Sequence, residues 1–305
     1  MSARLSAKPK GAGYWLGLTK MDGVDVYIAK TNSGGTKVMS VDADFIEVTL
    51  ETGIVTITGK DKSAALHQSK TTEQVHNKTM KEQIEVFAKR HELTLQMDDQ
   101  SGKAGRTYKV DFNDMTHEES EWTAIQRYIT HLGLVAYVDD KTLHVVAANS
   151  SSGGAKTINY KAPTAQSYAS GDFMHLSLKH DMILAKGVKT TVKSWNSKKA
   201  KVITATEGGS GGGASVGGFS IYHPDLEQDQ ADKIAKSHNE MAASHELTCS
   251  LEISGDETIT AQQKITLTGT QSQFDQSFFI ISMSDEVSDT GYRQTFELKN
   301  KARGD

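Results

Sequence analysis

The 305-residue chain has few of the residues that several common classes of protein require. Its single cysteine, Cys249, excludes an intrachain disulfide framework and a multi-cysteine zinc site. No run of residues approaches the ~20 apolar residues of a membrane-spanning helix. The sequence therefore predicts a chain without redox chemistry and without stable membrane insertion.

The charge balance gives no basis for strong nucleic-acid binding. The chain has 34 Lys and Arg against 38 Asp and Glu, for a formal net charge of −4. General counterion release cannot hold nucleic acid on such a chain, so we expect any contact with DNA to be local. The first 13 residues are basic, but the apolar segment after them is shorter than the ~7–15 residues of a secretory signal. We expect a chain that is made in the cytoplasm and not processed.

The pattern of apolar residues predicts a β-rich protein with a few helices. There are only three prolines, and apolar residues alternate with polar ones in many short stretches. The length corresponds to about two domains of ~150 residues. Capping boxes predict two helix starts, one at Thr79 with Glu82 and one at Thr116 with Glu119. A third helix is expected from about Gln228 to Ser244.

The sequence contains residues that fit catalytic or metal-binding motifs, but the neighbouring residues lack what those motifs require. Ser210 fits the pattern G-x-S-x-G, but glycine follows it where a nucleophile elbow needs a helix. His238, His245 and Cys249 could approach one another as metal ligands, although core or surface residues are the ordinary interpretation. Paired carboxylates fall at expected turns or at a helix start. We therefore predict no catalytic residue, no cofactor and no metal.

Lysines are concentrated over two expected strands and the turn between them. They are Lys186, Lys189, Lys193, Lys198, Lys199 and Lys201. A solvated sheet edge that resists aggregation explains such a cluster, and so does contact with an anionic partner or a passing polyanion.

The order of segments resembles a known family. Residues 56–66 form a strand that runs into GKDK and then a short apolar segment. The helix of the same pattern follows at 79–93. An acidic residue, an aromatic-rich helix, a Gly-Leu break and a hairpin follow at 119–146. The strands at 194–205 and 274–299 are similar to the last strands of the same family. The family comprises the baseplate hub proteins of contractile-tailed phages, called late control protein D, whose fold is shared with the hub part of type VI secretion spikes.

The resemblance implies an α+β, mostly β fold with two β-barrel-like tube domains and an inserted α+β domain. The first tube domain would comprise 1–62 and about 151–168, and it would be shortened. The insertion would occupy 63–150. The second tube domain would occupy 169–305, with a Gly-rich loop at 207–218.

The resemblance also implies a function and a set of partners. A ring-shaped homotrimer would adapt the sixfold tail tube to the threefold central spike and would contact other baseplate proteins. DNA or other cargo would pass through its channel without sequence-specific binding. The expected location is the baseplate of a virion tail, assembled in the host bacterial cytoplasm. A cell-wall hydrolase and a glycan- or receptor-binding module of a tail remain the alternatives.

One run in the last strands is a candidate subunit interface. Phe278, Phe279, Ile280 and Ile281 are consecutive apolar residues. A strand without alternation is typical of burial on both faces. An interface between subunits explains such burial, and so does packing within one subunit.

Overall fold

The computed structural model describes residues 2–6, 10–19, 24–28, 36–72, 74–76, 78–97, 106–108, 111–115, 118–130, 133–147, 150–151, 153–197, 199–208, 217–288 and 291–300. The chain divides into two compact units, Met1–Thr130 with Val135–Val146, and His131–Leu134 with Ala147–Asp305. The protein is mostly β with some helices, and it contains one strongly curled half-barrel sheet and several smaller sheets.

Up to Ala147 the chain forms short strands interrupted by four helices among the described residues. The elements are β1 (Ser2–Ser6), α1 (Gly11–Leu16), β2 (Val24–Ile28), β3 (Thr36–Thr49), β4 (Ile54–Lys60), α2 (Ser63–Gln68), β5 (Lys70–Thr71), β6 (Gln74–His76), α3 (Met80–Arg90), β7 (Thr94–Met97), β8 (Arg106–Tyr108), β9 (Asp111–Met115), β10 (Glu119–Ser120), α4 (Glu121–Thr130), β11 (Leu134–Asp139) and β12 (Thr142–Ala147). The largest sheet here has the strand order β1-β4-β3-β2, and its core includes Val55 and Ile57.

Of the two capping boxes that the sequence predicts in this unit, one is present at the start of a helix. Thr79 accepts a hydrogen bond from the Glu82 amide, and the Glu82 carboxylate accepts one from the Thr79 amide. That prediction is confirmed. The second is wrong, because Glu119 lies in β10, which pairs with β5, and α4 begins only at Glu121. Ser120 caps this helix through a hydrogen bond from the Thr123 amide to its Oγ, and Thr116 lies outside the described residues.

From Ala155 onward the chain forms longer strands and one further α-helix among the described residues. The elements are β13 (Ala155–Lys161), β14 (Ser170–Gly171), β15 (His175–His180), a 3₁₀ helix (Leu184–Lys186), β16 (Val188–Asn196), β17 (Lys201–Gly208), β18 (Gly217–Tyr222), α5 (Gln228–Ala243), β19 (Leu247–Ser254), β20 (Lys264–Thr268), β21 (Ser277–Ser288) and β22 (Gly291–Asn300). The predicted helix from Gln228 is confirmed, with Ser244 as its C-cap.

The half-barrel of the second unit has the strand order β14-β13-β20-β21-β22-β19-β15. Its inner face is a continuous apolar core that includes Ile158, Leu251, Phe278 and Phe296. The strand β13, which the sequence assigns to the first tube domain, pairs in parallel with β20 in this sheet. The physical reason is the burial of Ile158, which enters the same core.

The remaining strands of the second unit form a sheet with the order β17-β16-β18. One of its faces packs on α5 through a core that includes Val192, Ile203, Ala231 and Ile234. The Gly-rich tract differs from the predicted loop 207–218, because residues 207–208 end β17 and residues 217–218 begin β18. Hydrogen bonding to β16 on both sides stabilises these ends as strands. Residues 209–216 lie outside the described part of the chain.

Candidate interaction surfaces

The three residues considered as metal ligands differ in burial, because Cys249 is buried, His238 is partly buried and His245 is exposed. Burial lowers the pKa of His238 and also that of His245, which is lowered further by Lys299. Burial, and then the Glu297 carboxylate, raises the pKa of the Cys249 thiol to about 12. Within the described ranges, no three His, Cys, Asp or Glu side chains form a cluster that could hold a metal ion. Ser210 lies outside those ranges.

No α-helix in the described part of the chain is both long enough and apolar enough to cross a bilayer.

The predicted lysine cluster lies on the sheet β17-β16-β18 and at its ends. Lys189 and Lys193 are exposed on β16, where they alternate with the buried Val188, Thr190 and Val192. The inward residues pack toward α5, so the two lysines point away from the helix. Both belong to one exposed face of the sheet.

The other predicted lysines have different environments. Lys201 is exposed at the start of β17. Lys199 lies in the preceding turn, where its Nζ is 2.5 Å from Oε2 of Glu227. The backbone of Lys186 ends the 3₁₀ helix, whereas Lys198 lies outside the described residues. The structure thus brings Lys189 and Lys193 together on one face and engages Lys199 in an ion pair.

The same exposed face bears apolar residues that the sequence analysis did not connect. Trp195 is 46% exposed and lies opposite the exposed Val202 of β17. Tyr222 of β18 is 68% exposed and lies opposite Lys193. Because Tyr222 ends a strand that begins inside the Gly-rich tract, only the pairing with β16 reveals that it neighbours Trp195.

The four residues of the predicted interface, Phe278–Ile281, differ in their exposure. Phe278 and Phe279 are buried, and Phe278 belongs to the half-barrel core. Lys264 lies over the Phe279 ring at 4.7 Å from its centroid. Ile280 is partly buried against the core, whereas Ile281 is 49% exposed at a β-bulge. The alternation is broken because the bulge shifts the register between Ile280 and Ser282.

Several strand edges of the half-barrel pair with no described residue, and one of them is the edge at β14 and β13. The strand β15 is the last strand of the sheet and pairs only with β19. The strand β21 pairs with β20 only over Ser277–Phe279, so its distal segment, defined as Ile281–Ser288, pairs only with β22. Unpaired edges present backbone donors and acceptors that another strand can bind.

Comparison with known proteins identifies the fold but not the sequence family. No protein-family model matches the chain, and no curated protein matches it in sequence. Among solved structures, it is similar to the 43 kDa tail protein of prophage MuSo2 from Shewanella oneidensis. The TM-score is 0.67 at 12% identity, over 98% of this chain and 88% of that one. The chain has the fold of prophage tail proteins.

Two further structures show the same likeness. The tail protein from Neisseria meningitidis MC58 matches with a TM-score of 0.67 at 14% identity, covering 87% of this chain and 81% of that one. The c3393 protein of Escherichia coli matches with a TM-score of 0.51 at 9% identity, over 87% of this chain and 65% of that one. That protein is a component of the type VI secretion system and is structurally similar to the T4 bacteriophage tail proteins gp27 and gp5.

Proposed function

We propose that this chain is a structural, non-enzymatic protein of a phage tail or tail-like particle, and that three copies form its baseplate hub. The hub would adapt a sixfold tail tube to a threefold central spike, and cargo would pass through its channel. The location would be the tail baseplate. Support comes from the fold, which the chain shares with prophage tail proteins over most of its length.

One structural observation carries the proposal beyond the likeness of fold. The half-barrel is not closed, and its apolar core reaches edges that no described residue covers. A sheet of this kind is completed most simply by strands of neighbouring subunits, because closure removes exposed edges. Ring formation by several copies would satisfy this requirement.

The division into two tube domains with an α+β insertion stays part of the proposal. In a trimer, two similar domains per chain would give six lobes around the channel. The lysines Lys189 and Lys193 would then contact an anionic neighbour or face the cargo. The partners would be the tail tube protein, the central spike and other baseplate proteins.

The oligomeric state of the full chain tests this proposal. We expect trimers in mass photometry, either for the chain alone or after co-expression with the tube and spike proteins of the same particle. Monomers under both conditions would contradict the hub, whereas dimers would contradict the threefold symmetry. A cell-wall hydrolase would instead clear a suspension of isolated cell walls, and we expect no such activity.

A second candidate function is a glycan- or receptor-binding module of a tail. The observation that favours it is the exposed pair of aromatic residues, Trp195 and Tyr222, on one sheet face. Aromatic rings of this kind provide a flat apolar surface with a polar group. Retention of the chain on isolated cell walls, with loss of retention after Trp195→Ala, would support this function. Equal retention of the two proteins would exclude this face as the binding site.

A further inference from the structure

The exposed face of the sheet β17-β16-β18 is a regular array of basic, hydroxyl and aromatic side chains. Along the central strand β16 the outward residues are Lys189, Thr191, Lys193 and Trp195, and the residues between them are buried toward α5. Pairing with β17 and β18 extends this line into rows across the sheet. From Lys189 to Trp195 the array runs for about 20 Å at ~3.3 Å per residue. This face is called the platform below.

Two aromatic rings of the platform are neighbours and are open to water. Trp195 is 46% exposed and Tyr222 is 68% exposed. Tyr222 lies opposite Lys193, and Trp195 follows Lys193 by two residues, so both rings lie on the same face. Exposed rings of this kind offer flat surfaces on which other ring systems stack. The platform therefore suits a ligand that contains planar rings.

The charges of the platform are of one sign. Lys189 and Lys193 are exposed, and neither has an ion-pair partner among the described residues. Within the described strands, the outward-facing residues include no Asp, Glu, Asn or Gln. An ammonium group only donates hydrogen bonds, whereas each hydroxyl of a neutral sugar carries a donor that needs an acceptor. The charge and the donors thus favour an anionic ligand that is rich in acceptors over a neutral glycan.

The row of the platform at Lys189 leaves room for such a ligand. Gly208 of β17 and Gly218 of β18 lie opposite Lys189 on its two sides. Because glycine has no side chain, nothing stands beside the lysine within its row. The next row contains the hydroxyl residues Thr206, Thr191 and Ser220. A phosphate group can therefore approach Lys189 and the neighbouring hydroxyl groups from above the sheet.

We propose that the platform binds single-stranded nucleic acid, with bases stacked on Trp195 and Tyr222 and with phosphates held by Lys189 and Lys193. A duplex keeps the faces of its bases inside the stack, so only a single strand can use the two rings. The binding would depend little on sequence, since every base has a π-face and every nucleotide has a phosphate. The inference goes beyond the proposed function, and it holds for one copy of the chain as well as for a trimer.

Two probes of equal charge test the stacking. Fluorescence anisotropy is measured for the full chain with labelled oligothymidylate of ~20 nucleotides, which exceeds the site size of most single-strand-binding domains. The second probe is an abasic strand of the same length, which has the phosphates but no bases. The full chain should bind oligothymidylate roughly tenfold more tightly, because each stacked base contributes to affinity. Equal affinities, or no binding of either probe at low salt, would overturn the proposal.

Substitution of one ring locates the binding. Trp195→Ala should lose roughly tenfold in affinity for oligothymidylate and should bind the abasic strand and a duplex as the parent does. Trp195→Phe should retain most of the affinity, because a ring remains. Phe219→Ala is the matched control, since Phe219 is 55% exposed on β18 but lies opposite the buried Thr190, on the other face of the sheet. Equal effects of Trp195→Ala and Phe219→Ala would exclude the platform as the site.

The salt dependence tests the role of the lysines. Lys189→Gln and Lys193→Gln should each reduce the slope of log affinity against log salt by about 0.7, the value for one phosphate contact on a single strand. Lys233→Gln, at an exposed position on α5, is the control and should leave the slope unchanged. Unchanged slopes for both platform variants would overturn the proposed phosphate contacts. Circular dichroism checks that every variant remains folded.

A neutral glycan is the competing ligand for this face. Binding to a neutral oligosaccharide that is lost in Trp195→Ala, without binding to oligothymidylate, would overturn the proposal and support the receptor-binding module instead. Mass photometry of each variant under the same conditions shows whether the oligomeric state has changed. Monomers that bind oligothymidylate through Trp195 would contradict the hub and support the platform, so the two failures are distinguishable.

Discussion

Leu178 and Cys249 lie directly opposite each other in the β15–β19 ladder, yet their exposure differs strongly. Cys249 is 2% exposed and Leu178 is 38% exposed, although paired residues lie on the same face of a sheet. Side chains on the core face are therefore buried on β19 and partly exposed to water on the neighbouring edge strand β15. This step in burial marks the place where the isolated half-barrel is incomplete.

Truncation of Leu178 should cost much less folding stability than truncation of its buried neighbour Leu251. We expect Leu178→Ala to lower the free energy of unfolding by about 1 kcal/mol, because much of the side chain is already in water. Leu251→Ala should cost ~2–5 kcal/mol, since it leaves a cavity. Urea unfolding at concentrations where the chain is monomeric measures both. Equal costs would mean that the edge is covered within one subunit.

The hairpin of β21 and β22 depends on a glycine that accommodates an aromatic ring. A Cβ on Gly255 would overlap the ring of Tyr292, whose hydroxyl donates a hydrogen bond to Asp285 at 2.9 Å. We expect Gly255→Ala to destabilise the chain by ~1–3 kcal/mol, because the ring must move. Gly154→Ala is the matched control, since nothing lies within 4 Å of its added Cβ. Thermal unfolding measures the loss of stability of each variant. Equal losses for Gly255→Ala and Gly154→Ala would contradict this account.

The ion pair between Lys156 and Asp256 predicts a pH-dependent contribution to stability. Lys156 Nζ is 2.7 Å from Asp256 Oδ2. Hydrogen bonds from Lys156 and then Thr258 lower the pKa of Asp256 to about 2. A lowered folded pKa means that the carboxylate stabilises the fold above about pH 4, and that this contribution is lost as the pH falls toward 2.

Asp256→Asn tests that pH dependence. The variant should be less stable than the parent by about 1 kcal/mol at pH 7, because the pair is partly exposed. The difference should shrink between about pH 4 and pH 2. Denaturant unfolding at several pH values measures it. A difference that stays constant down to pH 2 would assign the loss to packing and not to charge.

A buried carboxylate joins two helices of the first unit. Glu121, at the start of α4, accepts a hydrogen bond from Arg90 at 2.7 Å and lies 2.6 Å from His91 Nε2. We expect Glu121→Gln to cost ~2–4 kcal/mol, because its partners lose a buried acceptor. Glu85→Gln is the control, since Glu85 forms an exposed i,i+4 pair with Lys89 that contributes only ~0.3–0.5 kcal/mol. Urea unfolding followed by tryptophan fluorescence would contradict this if both variants lost the same stability.

The lysine-bearing face should bind polyanions weakly and through particular residues. The double variant Lys189→Glu, Lys193→Glu should elute from a heparin column at lower salt than the parent, because both lysines are exposed on one face. Lys199→Gln should change elution less, since Glu227 already engages Lys199. A larger shift for Lys199→Gln would place the anionic contact in the turn and not on the sheet face.

The local patterns of the sequence predicted local structure well. The capping box at Thr79 and the helix from Gln228 were correct because side-chain spacing within one turn determines them. The lysines of that region were expected over two strands and their turn, and Lys189 and Lys193 lie on β16. The second capping box failed because strand pairing of Glu119 with β5 competes with helix formation.

Relations between distant parts of the chain were not predictable. Nothing local indicates that β13 pairs with β20, because the ladder joins Ala155 to Lys264. The neighbours Trp195 and Tyr222 are separated in sequence by the Gly-rich tract. Alternation places Leu178 on the core side of a strand but does not say whether another strand covers it.

The most direct test of the whole account is electron microscopy of the full chain, co-expressed with the spike and tube proteins of its particle. The account predicts two-dimensional class averages with a threefold ring, six similar lobes and a central opening. Compact particles without an opening, under the same conditions, would contradict the hub.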